Sequence, residues 1–380
     1  MKLPYWRLSA FYGFYFAILG AFLPYWSLYL RQVGFTASEI GELAACMVAT
    51  KIIAPNLWGW LADKTGKRLR LIRYSTFFSA LVFSGFFYLH DYNWFALITL
   101  GFSFFWNASL SQFEAATLFH LQEQVHRYSH IRLWGSVGFI AAVLGIGQFL
   151  DYFSIAYLPE IVLSLMLLNW LIALTTPETQ GHTLQTVKTS LRQLMLKGEV
   201  IAFFCVYLLL QIAHGPYYVF YSVYLQQHGY SSSITGLLWA LGVCAEILLF
   251  LFVSHLLRWF SLRQLLLSSL ALSVLRWLLI AYQVDNLPVL IGAQLLHAAS
   301  FGLAHVVAIQ LLLGYFGDQH QGKGQAFYAS ISFGLGGVIG SMYSGYFWDG
   351  LGATQVFNLA ALASGLAFLI ALCCIARIKG

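Results

Sequence analysis

Apolar runs of about 18 or more residues recur along the whole of this 380-residue chain, and no other feature narrows its fold as far. Each is long enough, as a helix, to cross a hydrocarbon core of about 30 Å. Only 9% of the residues are charged and 60% are hydrophobic. Soluble chains average about 25% charged residues, so this one lacks the polar surface that water demands. The expectation is an all-α membrane protein. Aromatic residues make up 17% of the chain, and the Trp and Tyr near the run ends suit membrane interfaces.

Twelve spans are predicted, near 8–30, 38–62, 71–90, 94–121, 131–151, 155–176, 199–226, 233–257, 263–283, 287–314, 325–348 and 354–376. The only long polar break, "PETQGHTLQTVKTSLRQLMLKG" at 177–198, separates two sets of six. The expected organisation is therefore a six-helix bundle over 1–176, a cytoplasmic linker over 177–198 and a second bundle over 199–380. With both termini in the cytoplasm, all but three of the 20 Lys and Arg fall in or beside cytoplasmic segments. The exceptions are Arg31 outside and Lys51 and Arg276 within spans, an asymmetry that follows the positive-inside rule. The net charge of +6 is then topological and calls for no nucleic-acid partner. The first span carries no small-residue cleavage site and reads as an uncleaved helix. Cys46, Cys205, Cys244, Cys373 and Cys374 all sit in predicted spans without paired CxxC spacing, so neither a disulfide framework nor a metal site is expected.

An internal repeat comes next. "YWSLYLRQVGFTASEIG" (25–41) aligns with "FYSVYLQQHGYSSSITG" (220–236) at an offset of 195. Identical pairs are Ser27/Ser222, Tyr29/Tyr224, Leu30/Leu225, Gln32/Gln227, Gly34/Gly229, Ser38/Ser233 and Gly41/Gly236. Each copy is the end of the first helix of its half and the turn into the second. The halves are expected to be parallel repeats related by an axis along the membrane normal. The same offset sets Lys51 opposite Glu246, a cation and an anion at matching depth.

Between the second and third spans stands "GWLADKTGKR", with Gly59, Asp63, Gly66 and Arg68 in the pattern G-x-L-a-D-k-x-G-k-R. Read from the residues, it is a tight turn at Gly66, an acid near a helix end and basic residues that hold the loop in the cytoplasm. The pattern resembles the loop signature of the major facilitator superfamily. That resemblance implies two six-helix halves and transport by alternating access, with this loop acting in the conformational change.

Ionisable groups inside the spans are the candidate working parts: Lys51, Glu114, Glu246 and Arg276, with Arg132 opening the fifth span. A charge at mid-bilayer costs about 3 kcal/mol, so such residues face a partner or a watery cavity. The alternative is interhelical ion pairs that fix packing and transport nothing. Helical spacing favours a lined cavity. Asn107, Ser111 and Glu114 form one stripe, and Gln211, His214, Tyr218 and Tyr221 another. Trp239, Gly242, Glu246 and Phe250 share a face, as do His297, Phe301 and His305. Each His has the alternative reading of a hydrogen-bonded core histidine. Buried carboxyls favour the neutral acid and a nearby cation favours the carboxylate, so a changing distance between Glu246 and Arg276 as the halves rock would switch proton affinity.

The order Glu114, Arg132, Glu246, Arg276 and His297 resembles the sugar–proton symporters of the lactose-permease type. By that resemblance Glu114 and Arg132 look like the sugar-site pair, and Glu246, Arg276 and His297 like coupling residues. One departure stands out: those symporters carry a second acid three positions after this His, where this chain has Ser300. "FLPYWSLYL", "IRLWGSVGF", "LLQIAHGPYY", "GYSSSITGLLWALGVCAEI", "LRW" and "QLLHAASFGLAH" are also similar to the phenylpropionate permease branch of the superfamily, across both halves. That resemblance implies uptake of an aromatic carboxylate with protons across a bacterial inner membrane. A substrate carboxylate would meet Lys51 or Arg276, while the ring would stack among side chains such as Tyr15, Trp26, Tyr218, Trp239 and Phe301.

The expectation is a proton-coupled transporter with a small organic anion as substrate, the bilayer as surroundings and no cofactor but the proton. Glu246, Arg276, His297 and His305 would couple protons. Lys51, Glu114, Arg132, His214, Tyr218, Trp239 and Phe301 would bind substrate. A fold with its cavity within one chain needs no partner subunit. Import of a neutral sugar or nucleoside, and drug export by proton antiport, remain alternatives. An enzyme is not expected: "GDQHQGKG" (317–324) has a phosphate-loop frame but ends in Gly324 where Ser or Thr would hold Mg²⁺, and it follows no strand.

Overall fold

The computed structural model describes residues 3–89, 91–178 and 192–375, apart from the side chains of residues 192, 318 and 319. Residues 179–191 of the expected linker lie outside the described residues. So do the first two and last five residues, whose basic groups bear on the expected orientation. The described residues are almost entirely helical, with no strand among them.

Two compact units emerge, Met1–Gln185 with Ser231–Leu237 and Thr186–Tyr230 with Leu238–Gly380. The first holds α1 (Tyr5–Val33), α2 (Ala37–Thr65), α3 (Arg68–Phe83), α4 (Tyr92–Leu121), α5 (Tyr128–Tyr152) and α6 (Leu158–Thr175). A short helix α7 (Arg192–Met195) leads into α8 (Gly198–Gln227), α9 (Ser232–Trp259), α10 (Leu262–Tyr282) and α11 (Leu287–Leu295). The chain then runs through a π-helical segment, Ala298–Leu303, into α12 (Ala304–Tyr328), a second π-helical segment, Ala329–Gly336, and finally α13 (Gly337–Leu351) and α14 (Ala353–Cys374).

Helix ends follow local chemistry. Thr36 caps α2 in a capping box with Glu39, and Ser261 caps α10 with Gln264. Gly34 and Gly229, matched in the repeat, both take positive φ, +109° and +80°. That conformation is costly for a residue with a Cβ, which explains why both copies keep glycine there.

In the first unit α1 packs along α5 and α6, α2 along α4, and α3 along α4 and α6. In the second, α8 packs along α13 and α14, and α10 along α14 and the Ala298–Leu303 segment. Between lipid-solvated helices the hydrophobic effect gives little, so close packing of small residues matters more. A Cβ on Gly138 would lie 2.1 Å from the Gly13 carbonyl oxygen at the α1–α5 contact. At the α8–α13 contact a Cβ on Gly215 would lie 2.3 Å from the Gly340 backbone. Outward faces are apolar, with Ile53, Leu248, Leu251 and Phe252 exposed. Such faces suit acyl chains as solvent.

Nine stretches of the described residues are long and apolar enough to cross a membrane. One of them, Tyr92–Tyr152, contains both the fourth and fifth expected spans. The third and eleventh expected spans are not among the nine. In the third, α3 is only 16 residues long before it tightens into a 3-10 turn over Ser84–Phe87. In the eleventh, the π-helical segment interrupts the helix before α13 begins. The chain is a multi-pass membrane protein.

Gly215→Val tests the packing. The added side chain must push α8 from α13, and the expected loss is about 1–3 kcal/mol, read as a lower melting temperature in detergent. An unchanged melting temperature would contradict the close approach.

Candidate functional site

Three helices of the second unit, α8, α9 and α10, and the π-helical segment Ala298–Leu303 with His297 at its start bring most of the predicted residues together. Glu246 projects from α9, where Gly242 and the facing Gly302 leave room: a Cβ on Gly242 would touch His297, and one on Gly302 would touch Glu246. His297 Nε2 and Glu246 Oε1 are 2.7 Å apart, and the Glu246 side chain is 15% exposed. At that distance, in so sheltered a place, carboxyl and imidazole share a proton through one short hydrogen bond. His297 opens the π-helical segment. Its wider turn breaks the regular backbone ladder, and the Ala299 carbonyl accepts a hydrogen bond from Ser269 Oγ at 2.7 Å.

Arg276 of α10 is 0% exposed. Its guanidinium lies 4.2 Å from the Tyr217 ring and 4.5 Å from the Trp277 ring, so cation–π attraction replaces part of its lost hydration. Nη1 donates to Ser300 Oγ at 3.1 Å, and Ser300 in turn donates to the His297 carbonyl at 3.4 Å. Among the described residues, Nε and Nη2 have no hydrogen-bond partner and no carboxylate lies within ion-pair distance. Ser300, which departs from the lactose-permease layout, is thus the residue that meets Arg276, and it brings no negative charge.

Aromatic side chains enclose this pair. Tyr217 donates to Gln294 Oε1 at 3.0 Å and packs on Trp239, with ring centroids 4.6 Å apart. Trp239 Nε1 donates to Ser222 Oγ at 3.0 Å, which turns its indole into the unit. His214 faces Tyr218, Trp277, His297 and Phe301, and Phe301 stacks on His297 at 5.4 Å. His305 sits apart from His297: its Nδ1 is 3.2 Å from the Tyr328 hydroxyl, on which its ring also stacks. Glu246 and Arg276 belong to the same compact unit. A rocking of the halves therefore does not by itself change their separation, and the expected distance switch needs movement within the unit.

In the first unit Arg132 lies 3.8 Å from Glu114, with side chains 31% and 37% exposed, and its guanidinium is 4.0 Å from the Phe16 ring. Lys51 is exposed on α2 and makes no ion pair among the described residues. Asn107, from the predicted α4 stripe, donates to Thr50 at 2.8 Å and is structural. Tyr15 stacks on Trp106 at 4.9 Å, and Trp26 packs against Phe22, Phe83 and Phe86. Both rings are buried core.

The loop motif forms a clasp. Gly66 ends α2 at φ +66°, Arg68 pairs with Asp63 at 2.6 Å and donates to Gln112 of α4, and Gly59 lies against Gln112. Glu178 accepts from the Leu69 N–H at 2.8 Å, and Arg73 donates to the Thr176 carbonyl at 2.7 Å. The α2–α3 turn is thereby tied to the ends of α4 and α6.

Residues 5–359 match the model of the MFS_1 like family. The chain belongs to that family, within the major facilitator superfamily. A relative from Escherichia coli K12, "Probable 3-phenylpropionic acid transporter", is 30% identical over 95% of this chain and 96% of its own. The maltose permease of Geobacillus stearothermophilus is 26% identical over 96% and 94%. The solved nucleoside transporter NupG superposes with TM-score 0.85 over 98% of this chain and 98% of its own at 17% identity, which shows the major facilitator fold. The protein is a transporter of the major facilitator type.

Sequence periodicity overlooked several members of this transporter's second-unit cluster. Tyr217 is off the Gln211–His214–Tyr218–Tyr221 stripe by one residue, yet it touches Arg276, Trp239 and Gln294. Gln294 lies three residues before His297 and could have been found on its stripe. Trp277 carries no periodic signal beyond its place next to Arg276. Tyr217→Phe should leave the fully buried Gln294 carbonyl without its donor and cost about 1–3 kcal/mol. Thermal unfolding in detergent checks this, and no change in stability would show that the bond contributes nothing.

Proposed function

We propose that this protein imports an aromatic carboxylate together with protons across the bacterial inner membrane. It works by alternating access of two parallel six-helix repeats with both termini in the cytoplasm. The single observation that carries the substrate class is Arg276. A fully buried guanidinium with two nitrogens unpartnered among the described residues, met there by a serine hydroxyl and aromatic rings, calls for an anion of planar, bidentate shape. A carboxylate supplies the missing charge and acceptors. Tyr217, Tyr218, Trp239, Trp277 and Phe301 supply apolar faces for an aryl group. The phenylpropionate relative points to the same class.

Glu246 is the proposed proton carrier and His297 its immediate partner. The pair is sheltered, hydrogen-bonded at 2.7 Å and adjacent to the Arg276–Ser300 bond through the His297 carbonyl. Substrate at Arg276 and proton at Glu246 would therefore sense one another electrostatically, which is what symport requires. His305, with Tyr328 on its Nδ1, is the proposed relay for protons toward Glu246. In the first unit, exposed Lys51 is the cation proposed to contact a substrate anion. The twelve-span repeat rests on the matched turns at Gly34 and Gly229 and on the recurring helix pairings. A neutral sugar or nucleoside is the second reading, favoured by the Glu114–Arg132 pair, which resembles a sugar site.

Proteoliposomes with an imposed pH gradient test the coupling. The intact protein should accumulate 3-phenylpropionate against its gradient, with protons moving in the same direction. Glu246→Gln should allow equilibration and no accumulation. Accumulation by that variant would exclude Glu246 as the coupling site, and opposite proton movement would mark an antiporter.

A further inference from the structure

His214 is the buried titratable group that the coupling scheme leaves without a task. It stands on α8 next to the close helix approach at Gly215, and it is 0% exposed. Its Nδ1 lies 2.8 Å from the Leu210 carbonyl oxygen. A carbonyl only accepts, so Nδ1 carries the hydrogen. With the Arg276 cation nearby and no carboxylate in ion-pair contact, the ring is a neutral imidazole, and Nε2 presents a lone pair. That Nε2 is sealed from solvent and has no hydrogen-bond partner among the described residues.

Buried acceptors without donors are rare because each forfeits its hydration for nothing. Here the acceptor is walled by Tyr218, Trp277, His297 and Phe301, the same rings that border the arylcarboxylate site. The His214 ring centre is 5.0 Å from the Trp277 ring, and the Arg276 guanidinium carbon is 4.5 Å from it, so the two lie at most 9.5 Å apart. One small ligand, bent over the Trp277 ring that both groups touch, would reach the two of them. No protein donor meets this lone pair, so a donor on the ligand is its natural partner.

We propose that His214 is a specificity-determining residue that selects an arylcarboxylate bearing a hydrogen-bond donor on its ring, a phenolic hydroxyl, through acceptance at Nε2. The proposal rests on the reading of Arg276 as the carboxylate site.

Titration calorimetry on the full-length protein in nanodiscs tests it with 3-phenylpropionate, its meta- and para-hydroxylated forms, and their methyl ethers. The ethers keep the oxygen and lose the donor. The intact protein should bind one hydroxylated acid at least about tenfold more tightly than its ether. In His214→Leu the ratio should fall to about one, whatever happens to absolute affinity. His214→Phe, which keeps a ring and removes the acceptor, supplies the same ratio should the leucine variant bind no acid. A ratio of one in the intact protein, or a ratio that survives in both variants, overturns the role of His214. Binding of 3-phenylpropionate without hydroxyl preference would leave the carboxylate site standing. No binding of any of these acids by the intact protein would overturn both.

Discussion

Among the described residues no carboxylate lies within ion-pair distance of the Arg276 guanidinium, which sits in the interior of the second unit, and much of the surrounding structure answers that one fact. Tyr217 and Trp277 lay their rings against it, Ser300 accepts one of its hydrogens, and the Ser300 hydroxyl passes the contact to the backbone of His297. A buried charge held this way is tolerated rather than satisfied. An acid at position 300 would neutralise it, and serine does not. Serine keeps the cation in place and leaves its charge available.

The Glu246–His297 pair, the proposed proton site, is built beside it by different means. Gly242 and Gly302 thin the helix faces so that Glu246 and His297 can meet, and the π-helical turn after His297 makes the approach possible without a break in the chain. A local bulge of this kind is less costly to rearrange than a straight helix, because its hydrogen bonds are already irregular. Since Glu246 and Arg276 share one unit, the proposed coupling between them is assigned to His297 and Ser300 rather than to rigid movement of one half against the other. The glycine contact at Gly215–Gly340 holds α8 close to α13 in the same unit.

Much of this was legible in the sequence because the bilayer is so strict a solvent. Long apolar runs could be little but helices, and ionisable residues within them had to have a reason. The Gly34/Gly229 match told of two equivalent turns, and both adopt the left-handed backbone that glycine favours. The short α3 and the two π-helical segments were not legible, since they depend on side chains from other helices: Ser269 on Ala299, for example. Periodicity placed His214, Glu246 and His297 on the right faces, but it set Tyr217 on the wrong one and said nothing of Trp277. Ser300 was visible only as a departure from a pattern, and its meaning came with the Arg276 contact.

Arg276 is the proposed anion site on which the rest depends. Paired binding measurements of 3-phenylpropionate and its neutral amide, at a pH where the acid is ionised, test that most directly. A hydrogen-bonded contact to a charged group predicts about tenfold to hundredfold tighter binding of the acid by the intact protein, with the preference lost in Arg276→Gln. Equal affinity for acid and amide, or a preference that persists in Arg276→Gln, would contradict it.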